Sequence, residues 1–187
     1  MLKIGDNVPD MEFEVFQNNE IKKVRFADFK GRWLVLVFYP ADFTFVCPTE
    51  LEDVADRYED FRKMGAEVLS VSTDTAFVHK AWHDVSPAIK KVTYPMVADP
   101  TGQLCRLFGT YIENLGLALR GSFVIDPDGV LKAYEMHDLP IGRSAEELLR
   151  KLQAAKFVRE NGGQVCPANW KPGSKTLKPG LDLVGKI

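Results

Sequence analysis

The run Trp33-Leu34-Val35-Leu36-Val37-Phe38-Tyr39 is apolar at every position and is stopped by Pro40. A strand with no polar side needs cover on both faces, which is the situation of a central strand in a sheet flanked by helices. Proline, without an N–H, ends it. Beyond Pro40, Leu51, Val54, Ala55, Tyr58, Phe61 and Met64 recur at three- and four-residue steps, predicting one amphipathic helix that Gly65 terminates. A second buried strand is predicted at Glu67–Ser72, then a helix starting near Thr75 and running through His79 and Trp82 to Pro87. Strands alternating with helices indicate an α/β fold with crossover connections. Asp126-Pro127-Asp128-Gly129 separates Phe123–Ile125 from Val130–Tyr134 and has the chemistry of a tight turn between antiparallel neighbours, so the central sheet is expected to be mixed. Ser144 suits the N-cap of a last helix, with Glu147 as capping-box partner and Leu148, Leu149, Leu152 and Ala155 as its buried face. Phe13–Phe16 and Ile21–Phe26 around Asn18-Asn19 predict a small N-terminal hairpin. Residues 167–180, rich in Pro, Gly, Ser and Lys, predict an arm. The expected organisation is one domain over residues 1–160 with a C-terminal arm over 161–187 as part of it.

Composition narrows the function classes. The 187 residues suffice for one sizeable core. Lys and Arg number 24 against 26 Asp and Glu, so no basic excess exists to neutralise a phosphate backbone, and nucleic acid is not an expected partner. The apolar run above falls far short of the roughly 20 residues of a spanning helix, so no membrane is expected either. The N-terminus lacks a basic start followed by an apolar stretch, which makes the cytoplasm the expected location. Three cysteines, Cys47, Cys105 and Cys166, form no C-x-x-C pair, and the odd count leaves at least one free thiol.

Cys47 is the informative one. In Pro40-Ala41-Asp42-Phe43-Thr44-Phe45-Val46-Cys47-Pro48-Thr49-Glu50 it stands at the boundary between a loop and a helix. Pro48 fits the first helical position, which sets Cys47 where free backbone N–H groups and the positive dipole end converge. Such settings favour a thiolate and make a nucleophile. Thr44 is within reach to offer a hydroxyl to the sulfur or to an oxygen bound beside it. The alternative is a small buried hydrophobe, the commonest fate of a lone cysteine. His79 and His83 share a helix face at i, i+4, half of a metal site, but further ligands at suitable spacing are missing and a structural role is expected. Cys105 is expected to fill a helix face.

Pro40-x3-Thr44-x2-Cys47 followed by Pro48-Thr49-Glu50 resembles the active-site signature of the typical two-cysteine peroxiredoxins. The likeness runs on through Val71-Ser72-Thr73-Asp74, His79-Lys80-Ala81-Trp82-His83, Asp99-Pro100-Thr101-Gly102 and Val165-Cys166-Pro167-Ala168. The ending, residues 181–187, is similar to that of the bacterial alkyl hydroperoxide reductase branch. The resemblance implies a thioredoxin-like fold and a peroxidase acting on hydrogen peroxide and organic hydroperoxides without cofactor or metal. It implies that Cys47 is the peroxidatic cysteine, which passes through a sulfenic acid, and that Cys166 of a partner subunit is the resolving cysteine, which traps it as an intersubunit disulfide. Pro40, Thr44 and Arg120 would complete the peroxide pocket, with Glu50 and Arg143 in support. The sequence reads Ala-Leu-Arg-Gly-Ser-Phe around Arg120 where relatives usually read Ala-Asp-Arg-Ala-Thr-Phe. Implied partners are a dithiol reductant, either a flavoprotein disulfide reductase drawing on NADH or thioredoxin, and further copies of the chain, as a homodimer assembling to a decamer. Phe77, Val78 and Trp82 form a cluster expected to be core, while the resemblance implies that the region around Phe77 and Val78 lies where dimers meet. A holdase chaperone or peroxide sensor in the same ring is the alternative function.

Overall fold

A computed structural model describes residues 1–186; Ile187, the end of the tail motif, lies outside them. The chain divides into two compact units, one from Met1 to Ala145 and one from Glu146 onward, so the expected boundary at 160/161 falls inside the second unit.

In chain order the elements are β1 (Glu12–Gln17), β2 (Glu20–Arg25), β3 (Trp33–Phe38), α1 (Cys47–Asp56), α2 (Tyr58–Lys63), β4 (Ala66–Ser72), α3 (Ala76–Val85), β5 (Met96–Ala98), α4 (Gln103–Phe108), β6 (Tyr111–Ile112), β7 (Leu117–Ala118), β8 (Arg120–Ile125), β9 (Leu131–His137) and α5 (Ala145–Glu160). Seven strands make one sheet in the order β2-β1-β5-β4-β3-β8-β9, while β6 and β7 pair separately. β4 is parallel to β3 and to β5, and the remaining pairs are antiparallel, giving the mixed sheet expected. All six residues of β3 are buried. Leu34, Leu36 and Phe38 join a core with Leu104, Cys105 and Phe108 of α4, and the strand's alternation turns Trp33, Val35 and Val37 to the opposite face.

Four expectations change in detail. The stripe from Leu51 to Met64 lies on two helices, because at Arg57 the backbone tightens into an i→i−3 bond to Val54 and leaves helical geometry, with φ −108° and ψ 6°. Cys47 itself opens α1, so Pro48 is one position further in than expected and still within the turn that needs no N–H. The N-terminal hairpin, turned by Asn18 and Asn19 at φ 51° and 62°, is not an appendage: β1 pairs with β5 and extends the sheet. In α5, Leu148 and Leu152 are buried while Leu149 and Ala155 are half-buried.

The aromatic centre of this core carries a stability prediction. Phe108 is fully buried, with its ring 5.3 Å from that of Phe38 and 4.8 Å from that of Phe123. Phe108→Ala is expected to remove about 3–5 kcal/mol of stability, through lost transfer energy and a cavity that close packing cannot refill. Urea unfolding should show the midpoint falling at unchanged slope.

The sheet register positions the site. Val37 of β3 stands opposite Ser122 of β8, so Arg120, two residues earlier on an antiparallel strand, lies past the C-terminal end of β3, where the chain turns into α1. His137 pairs with Arg120, so the segment after β9, carrying Leu139 and Arg143, leaves from the same end.

Candidate active site

The Cys47 thiol is fully buried at the first residue of α1. Arg120 Nη1 lies 3.4 Å from its Sγ and donates to Glu50 Oε2 at 2.6 Å, while Arg120 Nε donates to the Leu139 carbonyl at 2.6 Å. Glu50, one turn after Cys47 on α1, also accepts from Arg143: its Oε1 takes the Arg143 backbone N–H at 2.9 Å and Nε at 2.8 Å, and its Oε2 takes Nη2 at 3.2 Å. Arg143 further donates to the Gly121 carbonyl and Ser122 Oγ. All three charged side chains are no more than 5% exposed. Arg143 is therefore no exposed loop cation. Burial by itself raises the Glu50 carboxyl, but the hydrogen bonds and charge of Arg143, with the charge of Arg120, outweigh it and hold the group below the usual carboxylate range. Two guanidiniums and one carboxylate leave one positive charge uncompensated beside the sulfur, a setting for one anion.

The other residues singled out from the sequence lie on the segment before α1, on α4 and in the second unit. Pro40 is buried at the end of β3. Thr44 is half-buried, and its hydroxyl proton goes to the Ala41 carbonyl at 2.8 Å rather than to the sulfur, leaving its oxygen lone pairs as acceptors. Cys105 is fully buried on α4, where burial, reinforced by Asp99, pushes its thiol far up; it is a core residue. Cys166 belongs to the second unit, half-buried, with Sγ 4.0 Å from the Ala154 carbonyl; burial raises its thiol and the Arg150 charge opposes.

Sequence reasoning missed the network behind the loop. His79 Nδ1 lies 2.7 Å from Asp42 Oδ2 and its Nε2 3.1 Å from the Val97 carbonyl, and the Tyr39 hydroxyl donates to Asp42 Oδ1 at 2.6 Å. Asp42 was visible only as a neighbour of Thr44, and its partners are 37 and 3 residues away in sequence, a pairing that no local pattern announces. Phe77 corrects the core reading of its segment, being 73% exposed, while Trp82 is buried.

A buried thiol at a helix start, backed by an arginine that a carboxylate braces, on a seven-stranded mixed sheet, defines a thiol-based peroxidase with a thioredoxin-like fold rather than a dithiol exchanger. A family model described as AhpC/TSA family matches residues 4–134, and one described as the C-terminal domain of 1-Cys peroxiredoxin matches residues 154–184. Alkyl hydroperoxide reductase C of Amphibacillus xylanus is 53% identical over 188 residues, covering 100% of both chains. That of Staphylococcus aureus is 57% identical over 171 residues, covering 91% of this chain and 90% of the relative. Among solved structures, Enterococcus faecalis AhpC superposes with a TM-score of 0.87 at 48% identity, covering 89% of this chain and all of that one. Reduced Plasmodium vivax 2-Cys peroxiredoxin does so with 0.91 at 30% identity, covering 96% and 94%. The chain belongs to the AhpC/TSA family and is a peroxiredoxin, an enzyme that reduces peroxides through a thiol. Among the described residues, no helix is long and apolar enough to cross a membrane.

Proposed function

We propose that Cys47 is the peroxidatic residue and that Cys166 of a second subunit resolves it. The observation that carries this is the Arg120 guanidinium, which reaches the Cys47 sulfur and Glu50 at once. In the reaction the Cys47 thiolate attacks the nearer oxygen of hydrogen peroxide or an organic hydroperoxide. The O–O bond breaks, the sulfur becomes a sulfenic acid, and the distal oxygen leaves as hydroxide or alkoxide, which solvent protonates to water or alcohol. Arg120 donates to the oxygens as charge develops on them; Thr44 Oγ1 accepts the peroxide's hydrogen, and Pro40 keeps bulk water from the sulfur. The partner thiolate then attacks the sulfenic sulfur, expelling water once the hydroxide is protonated, and a dithiol protein reduces the resulting disulfide. A flavoprotein disulfide reductase drawing on NADH and thioredoxin are the two candidates for that protein.

Because Cys47 is fully buried, the first turn of α1 has to open before another subunit's thiol can reach it. Self-association also has a surface to use, since Phe43, Phe45 and Phe77 are 56%, 92% and 73% exposed, an unusual aromatic display that suits dimers assembling to a decamer.

One equivalent of peroxide should convert the wild type to a covalent dimer on a non-reducing gel. Cys47→Ser and Cys166→Ser should both abolish the dimer, and intact mass should show a sulfenic or further oxidised monomer only for Cys166→Ser. A dimer that forms at the same rate in Cys47→Ser sinks the assignment.

A further inference from the structure

The Asp42 and His79 side chains are both 0% exposed and 2.7 Å apart. A carbonyl oxygen only accepts, so the His79 Nε2 that faces Val97 carries hydrogen. Nδ1 faces a carboxyl oxygen at a distance that requires a proton between them. Apart from the Nε2 hydrogen, the pair therefore holds one proton, either as carboxylate and imidazolium or as carboxylic acid and imidazole. Both forms are neutral overall, which is what a wholly buried pair requires. Burial pushes the Asp42 carboxyl up, against the pull of His79. Tyr39 supplies the only further donor to this carboxyl among the described residues, and Asp74, the other acid nearby, is occupied by the Asp42 backbone N–H at 2.9 Å and the Ser72 hydroxyl at 2.8 Å.

The pair is attached to a strained stretch of backbone. Phe43 has φ +56°, the left-handed region, which is unfavourable for an L residue and persists where surroundings over-determine it. Asp42 is fixed on one side of it through both side chain and backbone. On the other, the Phe43 ring lies 6.1 Å from that of Trp82, which like His79 belongs to α3. Thr44 closes back on Ala41. Residues 41–44 are thus tied to α3 and β5, and Cys47 follows three residues later.

We propose that Asp42 and His79, sharing one buried proton, are positioning residues for the thiol: they fix the loop over residues 41–46, and with it the line on which the Cys47 sulfur and Arg120 meet a peroxide. The proposal rests on the reading of Cys47 as the peroxidatic residue. Asp42→Asn can satisfy every partner, since its oxygen accepts from Tyr39 and its NH2 donates to Nδ1, whereas Asp42→Ala satisfies none.

The test compares the full-length wild type, Asp42→Asn and Asp42→Ala in single turnover, following Cys47 thiol loss with hydrogen peroxide and, separately, alkylation by iodoacetamide. Displacement on peroxide needs the sulfur and Arg120 in register, while alkylation needs only an accessible thiolate. Asp42→Ala is expected to lower the peroxide rate constant about 10²-fold, the scale of an ångström of misplacement, and the alkylation rate less than about threefold. Asp42→Asn should recover most of the peroxide rate. Should Asp42→Ala not fold, His79→Gln carries the same comparison. Proton NMR of the wild type should show a far-downfield exchangeable signal that couples to the His79 ring nitrogen and disappears in Asp42→Asn. Equal losses in the two reactions, an Asp42→Asn as slow as the alanine variant, or no such proton would overturn the proposal. A wild type whose Cys47 does not react with peroxide would instead overturn the underlying reading, so the two failures are distinguishable.

Discussion

Arg120→Ala is expected to lower the second-order rate constant of Cys47 with hydrogen peroxide by about 10²–10³-fold, the cost of removing one preorganised donor from a site of developing charge. The guanidinium is held on two sides, by Glu50 at 2.6 Å and by the Leu139 carbonyl at 2.6 Å, so its remaining N–H groups are aimed before substrate arrives. Lysine keeps the charge without the fork and cannot serve sulfur, carboxylate and carbonyl together. Arg120→Lys should therefore recover only a small part of the rate. Stopped-flow measurement of the single-turnover reaction checks both variants. Because Arg143 still pairs with Glu50 when Arg120 is gone, the alanine variant should fold, and a loss under about fivefold would mean that Arg120 serves the fold rather than the reaction.

Arg120 also shows what the sequence could and could not say. Without the family likeness the sequence reads it as a surface arginine just before a strand; its place beside a thiol 73 positions earlier depends on β8 running antiparallel to β3, and no periodicity reports strand order. The strands themselves are legible because β3 is uniformly buried, β4 is buried but for Glu67, and the turn at Asp126–Gly129 has unambiguous chemistry. The join of α1 to α2 was not, since the break at Arg57 leaves the apolar stripe in phase. Thr44 and Asp42 lie two residues apart in one loop, yet only the first carries a recognisable pattern. The pairing of the second is with a helix whose position the sheet crossover sets.

The charged triad behind the thiol carries an expected stability effect as large as that of the aromatic core. Glu50→Gln leaves Arg120 and Arg143 buried beside one another without a counter-charge, and breaking a buried ion pair from one side costs about 3–5 kcal/mol. The pH dependence distinguishes this from a packing loss. In the folded chain the Glu50 carboxyl is held below its ordinary range by the two guanidiniums, despite its burial. Its contribution is then fully present above the unfolded value of about 4.3 and is lost as pH falls through the lower folded value. Urea unfolding at neutral pH and at successively lower pH should show the wild type losing stability on that acid limb, and Glu50→Gln, already without the charge, losing less there. Removing a cation as well should relieve the imbalance: Glu50→Gln with Arg143→Met is expected to lose less than the sum of the two single variants, because Glu50→Gln alone leaves two buried cations beside one another and the double change leaves one, and the Glu50–Arg143 contact is lost only once. A strictly additive double variant would mean that the Glu50–Arg143 contact contributes nothing to the fold, and that any stability Glu50 supplies comes through Arg120 alone.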